Sequence, residues 1–211
     1  SELIMGINFQ QMQKSALWKK FVEPQLAKNM GELEKFKAKC GFNPLDTLQS
    51  MSMGLSNVGP DQKPSGAMVV HGIEKAKMMD CFDKMKDEFK EKGTEVTKDG
   101  DFVTIDNTKE GMKSTATFVN DTTMLMAVGG DKDTLLKLMK GDAGAKSSPM
   151  FVDMFGKLDS THTVWGLMNG SSKLFAPLAG ANIKFKAVYG SINVTDGVQV
   201  EARARMDSAD Q

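Results

Sequence analysis

The sequence predicts an α+β protein in which antiparallel sheet packs against helices, and three observations carry that prediction. Val198, Val200, Ala202, Ala204 and Met206 alternate with Gln199, Glu201, Arg203 and Arg205, the period of a strand with one buried and one wet face. Met78, Phe82, Met85 and Phe89 recur at helical spacing through a stretch otherwise rich in Lys, Asp and Glu. Helices stand between runs of strands joined by short polar turns, a grouping that indicates antiparallel rather than βαβ organisation.

Taken in order, Leu3 to Phe9 reads as a strand, followed by Met12, Leu17 and Phe21 at helical spacing. Pro24 starts a second helical segment, because proline is tolerated in the first turn. Its apolar stripe is Leu26, Met30, Leu33, Phe36 and Cys40, and Gly41-Phe42-Asn43-Pro44 ends it. Thr47 to Val58 and Gly66 to Ile73 are strands around a Gly/Pro-containing loop. Glu74 to Lys92 is a helix that Gly93 stops. Thr94 to Lys98 and Phe102 to Asn107 form a hairpin about Asp99-Gly100, and Lys113 to Val119 pairs with Thr122 to Val128 about Asn120-Asp121. Asp131 caps a short helix carrying Leu135, Leu136 and Met139, closed by Gly141.

Small polar residues from Gly141 to Pro149 read as a linker. Beyond it come a helix at Met150 to Leu158, a strand at His162 to Met168 and a helix at Ser171 to Leu178. The last hairpin spans Ile183 to Met206. A loop of Thr195-Asp196-Gly197, with Gly197 at positive φ, sets Val194 opposite Val198 and Ile192 opposite Val200.

The chain also repeats itself. Met53-Gly54-Leu55-Ser56-Asn57-Val58 matches Tyr189-Gly190-Ser191-Ile192-Asn193-Val194 in glycine, asparagine and valine, and each leads into a β-rich run. Ile73-Glu74-Lys75-Ala76 then resembles Met206-Asp207-Ser208-Ala209, and upstream Ile4-Met5-Gly6-Ile7 resembles Val164-Trp165-Gly166-Leu167. The same order of elements twice indicates two related strand-helix-hairpin units, residues 1–141 and 149–211.

A chain of 211 residues makes one or two domains and can bury roughly 70% of its unfolded surface. Acidic and basic residues balance at 27 each, so no net field draws nucleic acid or anionic lipid. No apolar run approaches the ~20 residues that span a bilayer. The chain opens Ser1-Glu2-Leu3 without a basic, apolar leader or an initiator Met, which is expected of a processed product. Its 17 methionines read as adaptable core filler rather than as a metal or oxidant device.

Few residues suggest chemistry. Cys40 and Cys81 each lie on the apolar side of a predicted helix and can meet where the helices pack; two buried thiols fit the residues equally well. Neither His71 nor His162 has metal-ligand spacing to them, nor a Ser or Cys at a triad motif spacing, and both read as strand histidines. No metal or cofactor is expected. Gly129-Gly130 has the outline of a phosphate loop, yet no Gly-Lys-Ser/Thr follows, and Asp131 and Asp133 would repel an anion. Asp80, Asp83, Asp87 and Glu88 alternate with lysines as pairs on a wet helix face. Arg203 and Arg205, the only arginines, point the same way beside Glu201, where a partner contact competes with a solvated face.

The segment Cys40-Gly41-Phe42-Asn43-Pro44-Leu45, the strand after it, the Gly66-to-Ile73 strand and the Cys81 helix together resemble an uncharacterised family of secreted, lipoprotein-type domains from myxobacteria and their relatives. The resemblance covers mainly residues 1–140. It implies an extracytoplasmic protein with Cys40 paired to Cys81, and it brings no activity to carry over.

The reading that follows is a non-catalytic, extracytoplasmic binding or assembly module. The second unit lacks counterparts of most of residues 74–140, which leaves a strand edge and an apolar face open. Self-association through residues 183–206, with Arg203 and Arg205 meeting acidic groups, is the expected consequence. The alternative is a carrier of an apolar ligand or lipid, held between sheet and helices by methionine-rich walls. An enzyme comes third.

Overall fold

All ten strands join one antiparallel sheet in the computed structural model, which describes residues 1–28, 30–59, 61–141, 148–175 and 184–206. In chain order they are β1 (Leu3–Asn8), β2 (Ser50–Ser56), β3 (Ser65–His71), β4 (Thr94–Asp99), β5 (Phe102–Asn107), β6 (Met112–Asn120), β7 (Thr123–Val128), β8 (Val164–Asn169), β9 (Phe185–Val194) and β10 (Val198–Met206). Across the sheet the order is β10-β9-β8-β1-β2-β3-β7-β6-β5-β4. The first strand therefore sits inside the sheet, paired on one side with β2 and on the other with β8. The sheet is larger than two separate units require, because the β1–β8 pairing runs straight through both.

Seven α-helices are described: α1 (Phe9–Lys14), α2 (Glu23–Lys28), α3 (Met30–Cys40), α4 (Pro44–Thr47), α5 (Lys75–Glu91), α6 (Lys132–Lys140) and α7 (Pro149–Phe155), with a π-helical segment at Trp18–Val22. Their placement follows from the pleat. Alternation puts the methionines of β1, β2, β3, β6, β7 and β8 all on one side, here called the methionine face. Over β3, β7 and β6, α5 covers that face, with Met78 and Met79 against Val70, Phe118 and Met124. The opposite face carries α6, whose Lys132 ammonium lies 4.5 Å from the Phe102 ring centre and whose Leu135 is fully buried. It also carries α7, where Phe151 and Met154 pack on Leu167 and Ala187.

Outside the sheet, α3 packs on α5. A disulfide joins Cys40 to Cys81, within a cluster that includes Phe42 and Met85. Lys39 Nζ adds an ion pair to Glu88 at 2.6 Å, and that hydrogen bond and charge hold the Glu88 carboxyl below its ordinary range.

Several elements match their sequence signals. Asp131 caps α6 by accepting from the Thr134 N–H at 2.9 Å, and Gly141 closes it in the left-handed conformation. The final hairpin has the expected register, Val194 opposite Val198 and Ile192 opposite Val200. Its loop is closed differently: the Thr195 N–H donates to the Gly197 carbonyl, and Gly197 does not adopt positive φ.

Other expectations are corrected. The Thr47-to-Val58 strand begins only at Ser50, since Asn43 accepts from the Leu45 N–H and starts α4 on Pro44. Phe21 is 57% exposed instead of packed, because the helical run breaks at Ser15, whose backbone is extended, and winds as a π-helix from Trp18. Phe82 is only half-buried, while Cys81 and Met85 carry the buried side of α5. Of the expected helix from Ser171, a single tight turn at 173–175 is seen and 176–178 lie outside the described residues. Linker residues 142–147, the repeat match at 207–209 and Ile183 also lie outside them, as does the side-chain placement of Leu26 and Met30.

The disulfide spans 41 positions. Closing a loop of that length removes about 4 kcal/mol of unfolded-state entropy at most. A Cys40→Ala, Cys81→Ala double variant is expected to lose about 2–4 kcal/mol in urea unfolding. Met85→Ala, which empties the centre of the α3–α5 cluster, is expected to cost about 2–5 kcal/mol. Lys84→Ala, on the wet side of the same helix, should cost less than about 0.5 kcal/mol.

Candidate functional site

Where α5 ends its cover, the methionine face opens into an apolar trough whose shape is written in the strand register. Ala202 stands opposite Gly190, Gly190 opposite Gly166, and Gly166 opposite Met5. This transverse row has almost no side chain between Met5 and the sheet edge. One flanking row is Leu3, Met168, Val188 and Ala204; the other is Ile7, Val164, Ile192 and Val200. Small residues make the floor and large apolar ones the walls.

The result is a groove of about 320 Å³, lined entirely by residues of β1, β8, β9 and β10. Three inter-strand spacings of about 4.8 Å give it a length of about 14 Å. Among the described residues it is closed by Met5 at the inner end and open beside Ala202 at the edge strand β10.

The two floor glycines differ in origin. A side chain at Gly190 would collide with the Glu201 carbonyl, so close backbone approach requires glycine there. At Gly166 a Cβ would meet only the Ile4 carbonyl at 3.7 Å and the Met5 Cβ at 3.8 Å, ordinary contacts. Nothing in the packing demands Gly166; its effect is to keep the trough open. Below the floor, Leu167 is 1% exposed against Phe151 and Met154 of α7, and Phe155 meets Trp165 edge-on at 5.3 Å between ring centres. The trough thus has a packed, firm base.

Arg203 and Arg205 are not brought to it. Alternation places them on the opposite face, where Arg205 Nη1 lies 3.3 Å from Asp153 Oδ2 of α7. Arg203 pairs with Glu201 on its own strand and donates to the Lys157 carbonyl at 3.4 Å. Both side chains remain about half exposed, on the edge strand.

One constellation escapes sequence reading. His162 Nδ1 lies 2.8 Å from Ser191 Oγ, and His162 Nε2 lies 3.2 Å from Asp159 Oδ2. Hydrogen bonds from the Thr161 hydroxyl and N–H hold the Asp159 carboxyl below its ordinary range, with a further contribution from His162. Asp, His and Ser thus form a chain with the composition of a hydrolase triad. Ser191, however, is only 3% exposed, so its Oγ is not open to a substrate carbonyl in this structure. These groups fasten the 159–163 loop to β9. No local spacing could reveal them, because Ser191 lies 29 positions from His162 in sequence. His71 is likewise a strand histidine, 3.1 Å from Thr123 Oγ1. Among the described residues no group of three or more potential ligands is placed to hold a metal.

No family model and no curated protein matches the sequence. One solved structure resembles the fold. The crystal structure of TP0453 in crystal form I aligns over 92% of this chain and 70% of its own, with a TM-score of 0.50 and 10% identity. At that identity the likeness is one of fold alone.

The anchor at Asp159 makes a pH prediction. Its folded pKa lies below the unfolded value, so its contribution to stability is present above the ordinary carboxylate range and is lost as pH falls through the folded pKa. Asp159→Asn should therefore melt below the parent at neutral pH, and the gap should close on acidification. Thermal melts at a series of pH values check this.

Proposed function

We propose that this chain is a non-catalytic, extracytoplasmic binding module that takes one apolar chain, such as a lipid acyl chain, into the trough between β1 and β10. The observation that carries the reading is the Met5–Gly166–Gly190–Ala202 row, a floor without bulk between two apolar walls. A volume of about 320 Å³ lies at the small end of ligand sites, which suits a single slender chain rather than a fused-ring ligand. Without a charged side chain turned into the groove, affinity comes from burial, about 0.8 kcal/mol for each methylene removed from water. Met168 in one wall and Met5 at the inner end suit that role, since their flexible, polarizable side chains adapt to chains of different length.

The disulfide supports an extracytoplasmic setting, where such bonds persist, as does the resemblance around Cys40 and Cys81. Internal duplication is part of the same reading. What supports it is the disposition of β1-β2-β3 and β8-β9-β10 as two arms on either side of the β1–β8 pairing. In these arms Gly6 faces Ser52 whereas Gly166 faces Gly190, two residues off the sequence match of Gly54 with Gly190. Gly6 and Gly54 turn to the face opposite that of Gly166 and Gly190, so the two arms correspond in the order of their strands rather than residue by residue.

A fluorescent fatty acid with its dye at the polar end tests the function. The parent should bind one molecule per chain and release it to unlabelled fatty acid. Gly166→Val places a β-branched side chain on the floor where backbone contacts allow it, and should reduce binding tenfold or more with no loss of melting temperature. A parent that takes up no probe, or a Gly166→Val variant that binds like the parent, would overturn the reading.

A further inference from the structure

The two edges of the sheet are finished differently. At one end β4 carries Glu95, Lys98 and Asp99; Lys98 Nζ pairs with Asp83 of α5 at 2.6 Å and donates to the Met79 carbonyl at 2.7 Å. That edge is charged and tied to a helix, the usual ways of keeping other strands off. At the other end β10 is nine residues long, without proline or lysine, and among the described residues it is paired on one side only. Val198 and Val200 on it are 56% and 67% exposed.

The sequence of β10 is complementary to itself when reversed. About a two-fold axis at Ala202, antiparallel pairing sets Glu201 opposite Arg203 of a second copy, twice, and Gln199 opposite Arg205. On the other face Val200 meets Ala204 and Val198 meets Met206. Moving the axis to Glu201 or to Arg203 puts like charges directly opposite, which is unfavourable. An odd register would set the apolar face of one copy beside the charged face of the other. A Val200-centred register opposes no like charges but pairs only Val198 to Ala202; the Ala202-centred register pairs all nine residues and sets unlike charges opposite one another.

We propose that two copies of this chain associate by antiparallel β10–β10 pairing centred on Ala202. In the pair, Arg203 exchanges its same-strand partner Glu201 for Glu201 of the second copy, and the methionine faces lie on the same side. Ala202 is also the open end of the trough floor. The pairing therefore sets the two troughs end to end, Met5 to Met5, across seven strand spacings or about 34 Å. Pairing itself rests on the edge and its charges and does not require that the trough be occupied.

The test uses ligand-free protein in analytical ultracentrifugation at low salt. The parent should move from 23.0 kDa toward twice that mass with concentration, and added salt should weaken the pair. Glu201→Arg and Arg203→Glu, each alone, should weaken it about tenfold or more, as like charges meet. Mixed in equal amounts, the two variants should restore a dimer. In the mixed pair, position 201 of each copy faces a position 203 of opposite charge, and a change in either monomer's own stability cannot produce that recovery. Under mild oxidation Ala202→Cys should crosslink to a dimer, while Ala204→Cys, whose equivalents lie about 14 Å apart in this register, should not. A parent that stays at 23.0 kDa throughout, a mixture without recovery, or equal crosslinking of the two cysteine variants would each overturn the proposal. Gly166→Val should dimerise like the parent, which separates this result from the fate of the ligand reading.

Discussion

Trp165 occupies the space that a side chain at Gly6 would need, at the point where β1 pairs with β8. Both arms of the sheet hang from that pairing. Without it β1-β2-β3 and the strands beyond would end in an open edge, and so would β8-β9-β10. The pairing is long-range in sequence, so its loop-closure entropy must be met before its contacts form. Packing repays that cost on one side of the sheet, where Ile4, Trp165 and Leu167 share a cluster with Phe151 and Met154 of α7.

That one-sided packing leads to the trough. On the opposite face α7 and α6 supply bulk against the strands, whereas on the methionine face α5 covers only the part of the sheet from β3 outward. The floor glycines then act as an absence: Gly166 and Gly190 contribute backbone alone, and the walls stand higher than the floor by a full side chain. A rigid base between aliphatic walls suits an apolar chain better than a polar ligand, which would find no charged partner there.

The charged residues have mechanical duties in the same frame. Asp153 on α7 receives both Lys157 and Arg205, tying helix to edge strand. Lys39 and Glu88 do the same between α3 and α5, next to the disulfide. The Asp159–His162–Ser191 chain belongs with these fastenings, since its serine is buried.

Much of the local structure was legible in the sequence because its causes are local. The alternation in β10 fixed its two faces and its register with β9; Asp131 and Gly141 marked the ends of α6; the stripe on α5 marked the helix, although Phe82 within that stripe is only half-buried. The turn at Gly197 and the start of β2 were misread, since hydrogen bonds from Thr195 and Asn43 competed with the simplest turn and strand signals. The candidate site was much less legible. Gly166 and Gly190 resemble Gly6 and Gly54 in their sequence neighbours, yet nothing nearby announces that they stand opposite each other. That juxtaposition exists only once β8 and β9 pair in one register, and the trough only once β1 and β10 flank them. Alternation along a single strand is decided by the pleat of that strand; a row across four strands is decided by long-range pairing, and only the tertiary structure contains it.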